Sequence, residues 1–475
     1  MPDRHRLAGI ELARQIADEA IGSAVPPPTG PSPGVPPAMG VAPARDVSSR
    51  TGLRWIGPEV LGNDLDWRIA DLPVGPGLYS GSSGIALALA GAGRVADDDR
   101  LLDLATSAAA ESLTAGAALA RSGSVDLASG SSGIAHAAAW VGHLASDRDL
   151  LLGAIDLARS TASVIADLPV DPDYLGGTAG VILALLATCP DDEQLRTAVG
   201  AAAQRLAAQA RPGLIGASWP ESDGPDGRGL LGLAHGASGT GLALMAASQC
   251  RDDLADVARA AWDYERSWFD PDTSNWPDLR PSLGRDLERD TRSAATRGSP
   301  GMVAWCHGAL GIGCARLAWL SWFPDSPLRL ALLAEVTAAI ESGRRRAMAA
   351  RAALREGITT DASLCHGLGG VTELLLAAAD LPGGHDHLRA ATRVGDVILA
   401  QREHSGAWPC GLPAPQGTTI ASVPGPSEAA LGSSAGEPPG LYLGRAGIAL
   451  GLLRLDARHE LPSMALPRPI PARDG

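Results

Sequence analysis

A Gly-x-x-Gly pair opening a run of small apolar residues occurs seven times along the chain. Recurrence on that scale restricts a chain to folds that stack equivalent units. The units are LYSGSSGIALALA (78–90), DLASGSSGIAHAAA (126–139), DYLGGTAGVILALLA (173–187), GLAHGASGTGLALMAA (232–247), WCHGALGIGCARLAW (305–319), LCHGLGGVTELLLAAA (364–379) and LYLGRAGIALGLLRL (441–455). Their first glycines stand at 81, 130, 177, 236, 308, 367 and 444. Each run is rich in Ala and Leu and poor in charge, the composition of a helix buried on most sides. Between the runs lie amphipathic segments. In residues 101–120, Leu102, Leu104, Ala105, Ala108 and Ala109 share a side while Asp103 and Glu111 face elsewhere; residues 332–354 form another such segment. β-Branched alternation is nearly absent, so strands are not expected. The reading is an all-α fold, an α/α toroid of seven helical hairpins with seven inner and seven outer helices. Because each glycine pair precedes its inner helix, all seven inner N-termini should lie at one pole. Side chains in the motifs would then meet at one mouth, and the glycines would permit tight turns and close helix approach.

With 475 residues and 45% hydrophobic content, the chain carries enough apolar material for a large core. No run nears the ~18 apolar residues of a membrane span. The start, MPDRHRLAGIELARQ, lacks the apolar stretch of a secretory signal, so a cytoplasmic location is expected. Net charge is −14, which argues against nucleic acid as a partner. All 39 basic residues are Arg; the sequence contains no lysine. That excludes Schiff-base chemistry, a pyridoxal aldimine and a Walker-type phosphate loop. Three regions are expected: an N-terminal helix with a Pro/Gly linker over 1–49, the toroid over 50–460, and a tail over 461–475. The helix would bury Leu7, Ile10, Leu12, Ile16 and Ile21 along one side.

Five motifs carry reactive side chains: Asp126, Asp173, His235, Cys306–His307 and Cys365–His366. Thiolates and imidazoles gathered at neighbouring helix starts suit Zn²⁺. Four such ligands would make a closed structural site, and three would leave a position for substrate; spacing does not choose between these. The six cysteines are too sparse for a disulfide scaffold. Cys314 reads as core, and Cys189, Cys250 and Cys410 carry no chemistry. His136 and His143 read as packing or surface residues, and 385–387 (HDH) as a solvated loop. The arginines 344–346 read as an exposed helix face, with peptide binding as the other use. Residues 410–440 form a long Pro/Gly/Ser loop.

These residues resemble those of the lanthionine synthetase C-like family, the thioether-forming cyclases of lanthipeptide biosynthesis. GLAHGASG, WCHGALGIG and SLCHG are similar to its three core motifs, and the seven units match its seven-hairpin toroid. The stretch from Arg54 to Ala90 and NWP in NWPDLR (275–280) are closest to the cyclase half of fused class II synthetases. There is no room for the family's dehydratase domain, which leads to the expectation of a stand-alone cyclase or an excised half. The resemblance implies that Cys306, Cys365 and His366 bind one Zn²⁺, with the fourth position left for a substrate cysteine. His307 reads as structural; the resemblance puts a non-ligand there, with a supporting or acid/base part beside the metal left open. The resemblance further implies His235 as the acid/base group and an Asp in D-x-x-x-G-x-x-G as its companion. Asp173 fits that pattern best, and Asp126 is the alternative; the companion would orient His235 or bind substrate amide. Where some members carry an Arg four residues before the first zinc cysteine, this chain has Met302. The implied activity is addition of substrate Cys thiolates to dehydroalanine or dehydrobutyrine in a dehydrated ribosomal precursor peptide. A separate dehydratase or kinase/lyase enzyme would prepare that peptide. The alternatives are thiol (glutathione) addition to dehydroamino acids in proteins, and a non-catalytic zinc-stabilised peptide-binding toroid.

Overall fold

The computed structural model describes residues 4–22, 53–63, 66–220, 228–280, 302–411 and 437–471. Each apolar run forms an inner helix: α2 (Ser82–Ala96), α4 (Ser131–Ala145), α6 (Thr178–Thr188), α8 (Ala237–Ala247), α10 (Ala309–Trp322), α12 (Leu368–Ala377) and α14 (Arg445–Ala457). Each packs against the next, and α14 returns to α2, so the inner ring is closed. Six amphipathic segments follow as outer helices: α3 (Asp99–Ser122), α5 (Arg148–Ile165), α7 (Glu193–Ala208), α9 (Leu254–Arg266), α11 (Arg329–Arg355) and α13 (Gly384–Ser405). The seventh outer helix comes from the other end of the chain. Helix α1 (Arg4–Asp18) lies against α14, burying Ile10, Leu12 and Ile16, and Gly9 sits against the Ala449 carbonyl. Closing the ring with α1 covers apolar surface of α14 that no later helix among the described residues packs against.

Small differences from the sequence reading have local causes. On α3 the buried face is Leu101, Ala105, Ala108 and Ala109, because the helix starts with Asp98 as its cap and turns Leu102 and Leu104 to the margin. On α1, Leu7 points to solvent. Residues 385–387 are not a loop: they form the first turn of α13. An antiparallel hairpin, Ile56–Asn63 paired with Asp66–Pro73, precedes the first repeat, where no strand was expected. The linker 24–45 and residues 412–436 of the 410–440 loop lie outside the described residues.

The glycine spacing has a steric origin. The second glycine of each pair packs on the backbone carbonyl six residues before it. A Cβ on Gly84, Gly133, Gly180, Gly239, Gly311 or Gly447 would stand within 1.8–2.2 Å of that oxygen, and on Gly370 within 2.9 Å. Real Cβ atoms do not approach so closely, so a larger side chain would lift the loop off its helix. Gly308 adds a backbone requirement, with φ at +87°.

Just before each pair, a loop residue joins its neighbour through the backbone. Tyr79 N–H donates to Ala128 O, Ala128 to Leu175, Tyr174 to Ala234, Ala234 to Cys306, Cys306 to Cys365, Cys365 to Tyr442, and Tyr442 back to Tyr79, all at 2.9–3.2 Å. These seven junctions form a closed circuit at the pole where the inner helices begin.

The interior is filled from the opposite end. Residues 461–466 run inside the ring, with Leu461, Met464 and Ala465 buried. Glu373 of α12 accepts from Arg454, Ser463 and the Met464 N–H, while the Ala465 carbonyl accepts from Trp305 Nε1 at 3.0 Å. Arg316 of α10 is likewise enclosed, donating to Glu265 of α9 at 2.6 Å and Glu335 of α11 at 2.7 Å. Paired charges of this kind fix how inner and outer helices register, since losing one partner would strand a buried charge.

His136 on α4 is buried, and burial pushes its pKa down to about 4. The folded protein therefore holds it neutral while the unfolded chain, with an ordinary pKa near ~6.5, takes up a proton. The unfolded state binds more protons between pH 6.5 and 4, so stability falls as pH falls through that window. Denaturant melts across it should show the wild type losing about 3 kcal/mol more than His136→Leu; equal slopes would contradict this.

Candidate metal and acid/base centre

The circuit of loop hydrogen bonds decides which side chains meet. Cys306 and Cys365 occupy equivalent places in adjacent loops, joined by Cys306 N–H to Cys365 O at 3.1 Å. The next residue in three successive loops is a histidine: His235, His307 and His366. Asn275 of NWP holds the start of α10, its Oδ1 accepting from the Ala309 N–H at 2.9 Å, and Trp276 beside it is fully buried.

The neighbouring Cys365 thiol lowers Cys306 to about 7 against the opposing effect of burial, with His366, Arg280 and His235 assisting. Cys365 is pushed well up by the Cys306 thiol beside it and by burial. Tyr79 of the first loop is pushed up by burial and, after that, by the Cys365 and Cys306 thiols. His366 Nδ1 is held by the Asp361 carboxylate at 2.6 Å. Burial opposes the charged form of His366, but Asp361 outweighs it and raises the pKa. Asp361 also accepts from the Ser363 N–H and hydroxyl, so the carboxylate is fixed in its own loop. Among the described residues, no three His, Cys, Asp or Glu side chains stand in metal-holding geometry. The donors themselves, two thiols on loops joined through their backbones and an imidazole with Nδ1 engaged and Nε2 left over, are of the type zinc takes.

His235 Nδ1 lies 2.5 Å from Asp173 Oδ2. Burial lowers its pKa, but the Asp173 hydrogen bond and charge, together with Cys306, raise it overall. Asp173 uses its other oxygen to accept the Gly176 N–H at 2.6 Å. Asp126 makes the same type of turn bond, to Ser129 and Gly130, but both of its oxygens serve Ser129, and among the described residues no histidine bonds to it. His307 faces His235, ring centroids 5.2 Å apart, and burial with Arg280 pushes its pKa down to about 4.

Two site residues escaped the sequence reading. Asp361 sits five residues before His366 in the short polar loop TTDASLCHG, which is the signal that could have singled it out. Arg280 reaches the mouth from NWPDLR: Asp278 grips it with bonds of 3.0 and 2.6 Å, and Nη2 lies 3.4 Å from the Met302 sulfur. Its charge bears on His235, His307, Cys306 and Cys365. Beneath the mouth Tyr79 stacks on Tyr442 at 4.8 Å, and Trp305 bridges Tyr442 and Tyr174. Three of the chain's four tyrosines thus line one site. Cys314 is buried in α10, where burial raises its thiol pKa to about 12. The run 344–346 divides: Arg344 and Arg345 are exposed, whereas Arg346 turns inward and donates to the Val303 and His366 carbonyls.

A closed double ring of helices with a thiol–imidazole mouth at one pole defines the class. The chain belongs to the lanthionine synthetase C-like protein family, whose model matches residues 73–466. Among solved structures it is similar to one titled nisin cyclase, with TM-score 0.53 and 17% identity over 80% of this chain and 89% of the other. No curated protein sequence matches. No described helix is long and apolar enough to cross a membrane.

Replacing Asn275 with Ala removes the acceptor at the α10 start. Denaturant melts should show a loss of about 1 kcal/mol, as for other helix N-terminal acceptors; an unchanged midpoint would remove Asn275 from this role.

Proposed function

We propose that the protein is a zinc-dependent lanthipeptide cyclase. It would join Cys thiols to dehydroalanine or dehydrobutyrine in a ribosomal precursor peptide dehydrated by a separate enzyme, acting in the cytoplasm. The observation that carries this reading is the meeting, at one mouth, of the Cys306–Cys365 thiol pair, Asp361-held His366 and Asp173-held His235. Family membership and the fold support it.

Cys306, Cys365 and His366 would hold the zinc. When bound, it supplies a positive centre that favours the thiolate of a substrate cysteine at neutral pH. Asp361 keeps His366 in one tautomer, with Nε2 turned away from the carboxylate. The overall step adds S–H across the dehydro C=C bond. Sulfur bonds to the β-carbon, the π pair moves toward the α-carbon and carbonyl, and a proton must arrive at the α-carbon. His235 delivers it from Nε2, because Asp173 occupies Nδ1 and its carboxylate favours the protonated ring. Arg280, steadied by Asp278, supplies positive charge beside the developing enolate. The buried aromatics Tyr442, Trp305 and Tyr174 close the floor and keep water from below.

Zinc-loaded protein incubated with a dehydrated precursor should consume thiols faster than the uncatalysed control, read by alkylation and mass spectrometry. Cys306→Ala should lose zinc and activity together; His235→Ala should keep zinc and lose at least about 100-fold in rate. Thiol loss equal to the control, with zinc bound, would defeat the proposal. Asp361→Asn should weaken zinc about 10–100-fold in a chelator competition while the fold persists; unchanged affinity would take Asp361 out of the metal's surroundings.

A further inference from the structure

Outer helices α11 and α13 stand apart along one flank, leaving a groove of about 1100 Å³ that reaches down to Leu375 of α12. Six arginines line it: Arg4, Arg344, Arg351, Arg355, Arg389 and Arg393. Only two carboxylates, Asp386 and Asp396, share the lining, and they pair with Arg389 and Arg4. Arg344 contacts His387, while Arg351, Arg355 and Arg393 have no ion-pair partner among the described residues. In a chain of net charge −14 this is a concentration of uncompensated positive charge. Between the arginines the floor is apolar, formed by Met348, Val394 and Val397, and Met348 is 63% exposed. Arg344, Arg351 and Arg355 follow one another at helical spacing along one side of α11, over about 16 Å, the length of about eleven helical residues.

Charge rims above an apolar floor, at that length, suit an amphipathic helix laid in a groove. The sign of the rim requires a helix with carboxylates along its margins. The groove also leads toward the mouth. Helix α11 ends at Arg355, Asp361 follows six residues later, and Arg346 of the same helix donates to the His366 carbonyl.

We propose that this groove binds an acidic, amphipathic helical stretch of the peptide substrate, outside the residues that react, and thereby presents the rest of that peptide to the mouth. The identity of the bound chain as substrate rests on the cyclase reading above; the binding chemistry does not. Carboxylates of the bound helix meet Arg351, Arg355 and Arg393, and its apolar side chains cover Met348, Val394 and Val397. A flexible methionine on the floor lets the groove accept varied apolar side chains.

The test uses the full chain and a fluorescein-labelled 16-residue amphipathic helix of Glu, Ala and Leu, which has no residue able to cyclise. Anisotropy should show saturable binding that weakens with added salt. It should fall at least tenfold for the triple variant Arg351→Glu, Arg355→Glu, Arg393→Glu, whose thermal midpoint should stay unchanged because these side chains hold no other element. A scrambled peptide of equal charge should bind at least tenfold more weakly. Absence of binding by the wild type, or equal binding by the triple variant or the scrambled peptide, would overturn the groove assignment. A concentration-dependent dimer in sedimentation, abolished by the triple variant, would overturn it in favour of a second copy of the chain. The same acidic helix placed ahead of a dehydroalanine–cysteine model peptide should lower KM at least tenfold, with kcat unchanged, in the wild type only. Equal KM with and without the helix would sink the substrate assignment. Binding without any cyclisation would instead count against the cyclase reading and leave the groove standing.

Discussion

The circuit of seven backbone hydrogen bonds at one pole is the constraint on which the rest depends. Each bond alone is worth about 1 kcal/mol. Together they set each loop at a fixed offset from its neighbour, so that residues far apart in sequence occupy equivalent stations around one mouth. Cys306 and Cys365 meet because their loops are consecutive members of the circuit, joined at 3.1 Å through the Cys306 N–H and the Cys365 carbonyl. The glycine pairs serve the same end. Their second members let each helix settle on the carbonyl of its own loop, which leaves the remaining loop groups free to bond sideways.

Around this frame the site is tuned by carboxylates placed behind imidazoles. Asp173 stands behind His235 and Asp361 behind His366, at 2.5 and 2.6 Å. In both cases burial disfavours the charged ring and the carboxylate reverses that tendency. His307, without such a carboxylate and facing Arg280, is driven the other way. At three equivalent loop positions, neighbours alone thus favour the protonated ring at His235 and His366 and the neutral ring at His307.

The two ends of the chain complete the toroid from opposite sides. Helix α1 closes the outer layer over α14, and residues 461–466 fill the interior, where Glu373, Arg454 and Trp305 anchor them. A boundary drawn from composition separates these segments from the repeats, because α1 is followed by Pro/Gly-rich sequence and the tail carries no glycine pair. Burial assigns α1 and the tail to the same core.

Seven glycine pairs with their apolar runs were sufficient to give the layered all-α ring and the pole where the reactive side chains gather, because local spacing and periodicity carry that information. Asp173 and Asp126 were indistinguishable by spacing alone; which of them reaches a histidine depends on the third and fourth loops being neighbours, Tyr174 N–H bonding to Ala234 O. Asp361 and Arg280 were invisible as site residues for a related reason. Asp361 acts through the turn that folds it back onto His366, and Arg280 approaches Met302 from a segment more than twenty residues earlier. Neither fact has a periodic signature. The α11–α13 groove was present in sequence only as scattered arginines, and its shape comes from the separation of two outer helices. Periodic patterning fixes which faces of each helix are buried; contacts between distant segments depend on how the closed ring packs, and only the tertiary structure contains that.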